Sequence, residues 1–266
     1  MMLVDSHCHL NYKGLREDVD GVIERARVAG VSTMLGISTR QSEWAEVIAL
    51  AEAHPDIWAT VGIHPHEADT HPDIDAVRLI ATAAHSKVIG IGETGLDYFY
   101  DHSDRDRQRA SFRAHIAAAR ETGLPLIVHT RDAEADTAAI LTEEMGKGAF
   151  PGVIHCFTAS AAFAEQALAL GFYISLSGIL TFKNAKDLQA TAAALPADRI
   201  LVETDSPFLA PMPLRGKVCE PAYVVHTAAF LAQLRGVDAE LLATQTTDNF
   251  FRLFARARPT DYATTL

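Results

Sequence analysis

The sequence predicts a single α/β domain over residues 1–266, folded as a (β/α)8 TIM barrel. Three observations carry that expectation. Short β-branched, apolar segments recur eight times, amphipathic helix-like stretches separate them, and no glycine-rich dinucleotide turn breaks the alternation. Strands that alternate with helices pair in parallel, because each helix carries the chain back across the sheet. Eight such units can close into a ring, whereas an open doubly wound sheet more often stops at about five or six strands and shows G-x-G-x-x-G. A length of 266 residues also suits a barrel, which commonly needs about 250.

The first strand is read at 3–5, and a helix at 18–29 follows with apolar positions three or four residues apart. Gly30 caps that helix before the second strand at 31–37. A helix at 42–53 leads to the third strand at 58–63, and the fourth is read at 88–92. Its Gly90-Ile91-Gly92-Glu93 puts a glycine pair inside a strand, where neighbouring groups can then approach closely. A helix at 105–121 ends at Gly123 and precedes strands at 126–129 and 153–156. Another at 162–170 ends at Gly171, before strands at 172–176 and 200–203. Residues 207–221, rich in proline and polar side chains, read as a long loop of the kind that usually has a function. Helices at about 223–234 and 239–255 follow, and nothing reads as a linker between domains.

A hydrophobic fraction of 48% with 21% charged residues is ordinary for a globular protein with a sizeable core. The first residues lack a basic stretch followed by an apolar one, and no apolar run approaches the roughly 20 residues of a membrane span. Cys8, Cys156 and Cys219 form an odd set without zinc-knuckle spacing, which favours a reducing compartment; a cytoplasmic monomer is expected. The net charge is −11 and no basic stripe is visible, which argues against tight metal-independent binding to long duplexes. Phosphate esters stay open, since two bound divalent cations would add about four positive charges where an anion reacts.

Metal-binding side chains fall at one place in the repeat. His7 and His9 follow the first strand, and Glu93, His129, His155 and Asp205 end the fourth, fifth, sixth and eighth. That place is the C-terminal rim, where catalytic residues of parallel barrels converge. His7-Cys8-His9 puts two imidazoles on one side of an extended chain and turns Cys8 away. Glu93 ends a strand buried on both faces, where an unpaired carboxylate is costly and a cation resolves the cost. A carboxylate can bridge two metals and an imidazole nitrogen cannot, so Glu93 is the candidate shared ligand. Neutral imidazoles such as His129 and His155 suit zinc or manganese better than calcium. Asp205 is placed for metal contact and for accepting a proton from attacking water, and Glu203, one layer deeper, for orienting a ligand.

The motifs Asp5-Ser6-His7-Cys8-His9, Gly62-Ile63-His64-Pro65-His66, Gly92-Glu93-Thr94-Gly95-Leu96-Asp97-Tyr98, His129-Thr130-Arg131, His155-Cys156-Phe157 and Glu203-Thr204-Asp205-Ser206-Pro207 resemble those of the TatD-type deoxyribonucleases, across nearly the whole chain. The resemblance implies an amidohydrolase-like barrel that uses two divalent metals (Mg, Mn or Zn) to cleave phosphodiester bonds in DNA. It implies a 3'-5' exonuclease-like activity on single strands or ends. It also implies His7 and His9 on one metal, His129 and His155 on the other, Glu93 on both and Asp205 on the first. One departure is Cys219, where relatives tend to carry asparagine; a thiol replaces the amide's loop hydrogen bond poorly.

His64 and Arg131, just after the third and fifth strands, are expected to contact nonbridging phosphate oxygens, and Arg215 and Lys217 to add a clamp from the long loop. Cys219 is not the expected nucleophile, because a metal-activated water fills that role. The alternative within enzymes is a barrel hydrolase of a small ester, lactone or amide, since fold does not fix function. A bridging carboxylated lysine would favour it, but Glu93 occupies that position. A nonenzymatic, metal-stabilised interaction module would instead require closed metal sites.

Overall fold

The computed structural model describes residues 2–259. Among them eight strands alternate with helices: β1 (Leu3–Cys8), α1 (Val19–Val28), β2 (Val31–Gly36), α2 (Trp44–Ala53), β3 (Ile57–Val61), α3 (Ala76–Ala83), β4 (Val88–Asp97), α4 (Arg105–Thr122), β5 (Leu126–Arg131), α5 (Glu134–Met145), β6 (Gly152–Ile154), α6 (Ala161–Ala169), β7 (Tyr173–Leu176), α7 (Lys186–Ala194), β8 (Ile200–Val202), α8 (Val224–Arg235) and α9 (Ala239–Leu253). The strands form one sheet in sequence order, and every pair from β1·β2 to β7·β8 is parallel. The ring closes just past β8. Asp205 N donates to His7 O at 2.9 Å, and His9 N donates to Ser206 O at 2.8 Å. The expected (β/α)8 barrel is therefore the fold.

Strands β1, β2 and β4 are buried along their whole length, as parallel strands covered on both faces should be. The helices α4 and α9 start on Asp104 and Asp238, whose side chains accept from the first free backbone N–H groups. Gly30, Gly123 and Gly171 all take positive φ, as the helix ends read from the sequence require.

Two apolar layers result. The outer one packs the helices on the barrel. The inner one takes Val4, Leu35, Ile89, Ile127, Val153, Tyr173 and Leu201 from seven strands, with Trp58 of β3 against it, and adds Phe250, Leu253 and Phe254 from the end of α9. Most of these strand residues lie at the N-terminal ends, so α9 seals that side of the ring and leaves the C-terminal side for chemistry.

The differences from the expected strands lie beside functional residues. β4 runs on to Asp97, past the expected end at 92, whereas β6 and β8 stop at Ile154 and Val202. Cys156 and Asp205 adopt φ of 42° and 59°, which an extended strand does not accommodate, so the chain turns there. The pairing register shifts between Asp5 and Cys8 and between Ile91 and Thr94, intervals that bracket His7 and Glu93. Such irregularities re-aim side chains. Gly92 makes the second one feasible: φ is +138°, and a β-carbon there would lie 2.7 Å from Ile127 O.

Candidate metal centre and active site

The six expected ligands come from five different strands or strand ends and meet at the C-terminal mouth. Two imidazole sets face different oxygens of one carboxylate. His7 Nε2 lies 3.3 Å and His9 Nε2 3.8 Å from Glu93 Oε2, and the same nitrogens lie 3.6 Å and 3.3 Å from Asp205 Oδ1. On the other side, His155 Nε2 lies 2.8 Å, His129 Nδ1 3.1 Å and His64 Nε2 3.4 Å from Glu93 Oε1. Three overlapping donor groups of metal-binding size follow: His7/Glu93/His155, His7/His9/Asp205 and His64/Glu93/His129.

Outer hydrogen bonds decide which nitrogens carry protons. His129 approaches Asp97 Oδ2 through Nε2 at 3.0 Å, and His155 approaches Glu203 Oε1 through Nδ1 at 3.2 Å. A carboxylate accepts, so each ring keeps a proton there, and the nitrogen facing Glu93 Oε1 is the one that would give up its proton to a cation, as a metal-ligating imidazole requires. Glu203 is fixed in turn by Cys156 N at 2.8 Å. His64 has the opposite polarity. Its Nδ1 accepts from His66 N at 3.1 Å, so Nε2 carries the hydrogen and faces the centre as a donor, which suits a substrate oxygen better than a cation.

The donor set fits a cation. Nε2 of buried His7, 3.3 Å from Glu93 Oε2 and 3.6 Å from Asp205 Oδ1, has no hydrogen-bond partner. Orphaned nitrogens among carboxylates are costly unless something between them accepts their lone pairs. The carboxylates are ionised. Burial would raise Glu93, but the imidazoles of His155 and His64, with hydrogen bonds from His129 and His155, hold it well below its usual range. For Asp205, too, His9 and His7 outweigh burial and lower it. Burial pushes His7 down and His64 down to about 4, which keeps His64 neutral. Burial also opposes charge on His129, but Asp97 and Glu93 raise it. Mixed oxygen and nitrogen donors of this kind suit Zn, Mn and similar ions.

Above the centre lies a cavity of about 720 Å³ walled by His9, His64, Glu93, His129, His155 and Asp205 together with Tyr12, Tyr100, Arg131 and Phe208. Arg131 thus stands where a substrate contact was expected, its guanidinium 3.9 Å from the Phe99 ring centroid and 4.9 Å from that of Tyr100. The loop pair is not brought to the wall. Arg215 lies over the Phe182 ring at 4.4 Å, which holds its charge aside, and Lys217 is exposed on the same loop. Cys219 is wholly buried, its Sγ making only a 3.9 Å contact with Glu220 O, and it does not wall the cavity.

Sequence reasoning missed Asp97 and His66. Asp97 Oδ2 touches His129, and His66 Nε2 approaches the same oxygen at 3.0 Å, while Asp97 Oδ1 accepts from Phe99 N and Tyr100 N. The signal was present: an acidic residue four places beyond Glu93 and a second histidine two beyond His64.

A closed parallel barrel with this donor set at its mouth defines a metal-dependent hydrolase of the (β/α)8 class. The chain belongs to the TatD related DNase family, whose model matches residues 4–255. It is 46% identical over 257 residues to the metal-dependent hydrolase YcfH of Escherichia coli K12, covering 96% of each chain. It is 38% identical over 245 residues to the 3'-5' ssDNA/RNA exonuclease TatD of Cronobacter sakazakii, covering 90% of this chain and 92% of that protein. The crystal structure of YjjV, a TatD homologue from Escherichia coli K12, superposes with a TM-score of 0.89 at 29% identity, covering 95% and 98%.

Proposed function

We propose that this protein hydrolyses phosphodiester bonds in DNA, acting on single strands or ends in a 3'-5' exonucleolytic manner with two divalent cations (Mg, Mn or Zn). The observation that carries the reading is the division of Glu93: one oxygen faces His7 and His9, the other faces His129 and His155. His7, His9 and Asp205 would hold one cation, His129 and His155 the other, and Glu93 both. Bound there, the cations would polarise a phosphoryl oxygen, favour ionisation of the attacking water and neutralise the leaving alkoxide.

The chain's own groups supply the rest. Asp205, ionised and open to the cavity, accepts the proton of the attacking water. His64, neutral with its hydrogen on Nε2, donates to a nonbridging oxygen, and Arg131 adds charge beside it. Asp97 and Glu203 fix the rings of His129 and His155. The relative named as an exonuclease supports nucleic acid as the substrate class. Three free thiols suit a reducing compartment, and the reading takes the protein as a cytoplasmic monomer. Among the described residues no helix is long and apolar enough to cross a membrane.

The test is to strip the protein with chelator and resupply Mg, Mn, Co or Zn in turn. Cleavage of labelled single-stranded DNA is followed beside a panel of small esters, lactones and amides. His129→Ala and Asp205→Ala should each lower DNA hydrolysis by roughly a thousandfold or more with circular dichroism unchanged. Full metal-stimulated activity in either variant overturns the residue roles. Turnover confined to small esters, lactones or amides would replace the nuclease reading by its runner-up.

A further inference from the structure

Three aromatic side chains stand at least half exposed among the described residues: Phe99 at 53%, Tyr100 at 50% and Phe208 at 50%. All three sit on the loops that follow β4 and β8, and Tyr100 and Phe208 wall the cavity. Each is braced against a different half of the candidate metal centre. Phe208 meets His9 edge-on at 6.3 Å between centroids and Tyr12 at 6.2 Å. Tyr100 meets His66 edge-on at 5.4 Å and stacks on His102 at 5.3 Å with only 6° between the planes. Since His9 faces Glu93 Oε2 and His66 adjoins the Asp97–His129 pair beside Oε1, a phosphate centred on Glu93 has one ring on each side.

Away from the scissile phosphate, which the proposed cations would hold, charge offers little alternative grip. The net charge is −11, and the cavity wall carries two arginines. Arg40 is engaged by Glu43 at 3.2 Å and Glu67 at 3.1 Å, and Arg131 lies against the Phe99 and Tyr100 rings. A polyanion held by so few free cations would be held weakly. Aromatic faces bind any nucleobase whose own face is free, and an unpaired base has one whereas a base inside a duplex does not.

We propose that Tyr100 and Phe208 stack on the unpaired nucleobases flanking the scissile phosphate, so that the substrate is gripped through its bases more than its backbone. The proposal rests on the nuclease reading and names how that site selects its substrate. It assigns Arg131 a second task, bracing the Tyr100 platform from the side of β5.

The experiment compares kcat/KM on a short oligothymidylate with kcat/KM on the same backbone carrying abasic residues in place of its terminal nucleotides, at saturating Mn. Tyr100→Ala and Phe208→Ala should each cost about tenfold on the base-bearing oligomer and little on the abasic one. Tyr100→Phe and Phe208→Tyr should restore most of the loss. Wild-type turnover should fall only gently with added salt. Equal losses on both oligomers, or none on the base-bearing one, overturn the stacking proposal while leaving the nuclease reading standing. A wild-type protein that cleaves neither oligomer yet turns over small esters takes down both.

Discussion

His115 is fully buried on α4 and makes two hydrogen bonds there. Its Nδ1 donates to Ser111 O at 2.7 Å and its Nε2 accepts from Ile63 N at 2.9 Å, which pins the backbone next to His64. The Ile63 amide demands a lone pair on Nε2 and hence the neutral ring, and burial, outweighing the Ser111 hydrogen bond that favours the charged form, lowers the pKa from 6.5 to about 4. Above pH 6.5 folded and unfolded chains are both neutral at this position, so stability is independent of pH. Between 6.5 and 4 the unfolded chain takes up a proton that the folded one refuses, and roughly 3 kcal/mol is lost. Urea denaturation of wild type and His115→Gln should therefore show a stability gap that is constant above pH 6.5 and shrinks toward pH 4. A gap unchanged by pH would contradict the assignment. Its place inside the helix read at 105–121 separates His115 from the strand-end candidates, but its own role was not legible, because it depends on an amide 52 positions away along the chain.

At the scale of elements, β4 stands out because one strand carries both the bridging candidate Glu93 and the carboxylate that orients His129. Asp97→Asn keeps the shape but removes the charge that fixes the His129 proton on Nε2. Affinity for Mn or Zn, titrated against a chelating dye, should fall about 10- to 100-fold, with the thermal midpoint of the metal-free protein little changed. Wild-type affinity would refute the orienting role. The convergence of the candidate ligands was legible because most of them end an apolar run, and the rim position follows from the βα period alone. Asp97 was not, because Gly92, Thr94 and Gly95 read as the end of a strand, while register shifts keep the ladder running past them. Caps mark only some of the helices, since α1 and α2 were legible without one and α3, capped by Asp75, was not read. α4 and α9 announce themselves with Asp caps, whereas α5 and α7 begin at Ala133 and Ala185 without a side-chain cap and give the sequence reader no starting mark.

For the molecule as a whole, candidate ligands drawn from β1, β4, β5 and the ends of β6 and β8 mean that bound cations would tie together most of the circumference. An unfolded chain cannot assemble that set, so binding favours the folded state by mass action. A cation at about a hundred times its Kd should add about 2.7 kcal/mol and raise Tm by about 5–10 °C over the chelated protein. Differential scanning calorimetry checks the rise, and Glu93→Gln should abolish most of it; an equal rise in that variant would place the ion elsewhere.

Phe250 and Phe254, both wholly buried, stopper the ring from beneath, which makes the barrel a cup and not a tube. No polymer can thread it. On the proposed reading, a strand would dip its end into the bowl and withdraw it by the same opening, and each released fragment would leave past the chain waiting to enter. Product leaving a long substrate would then pass through a single doorway, and substitutions in the loops around that doorway would change its speed without touching the candidate ligands.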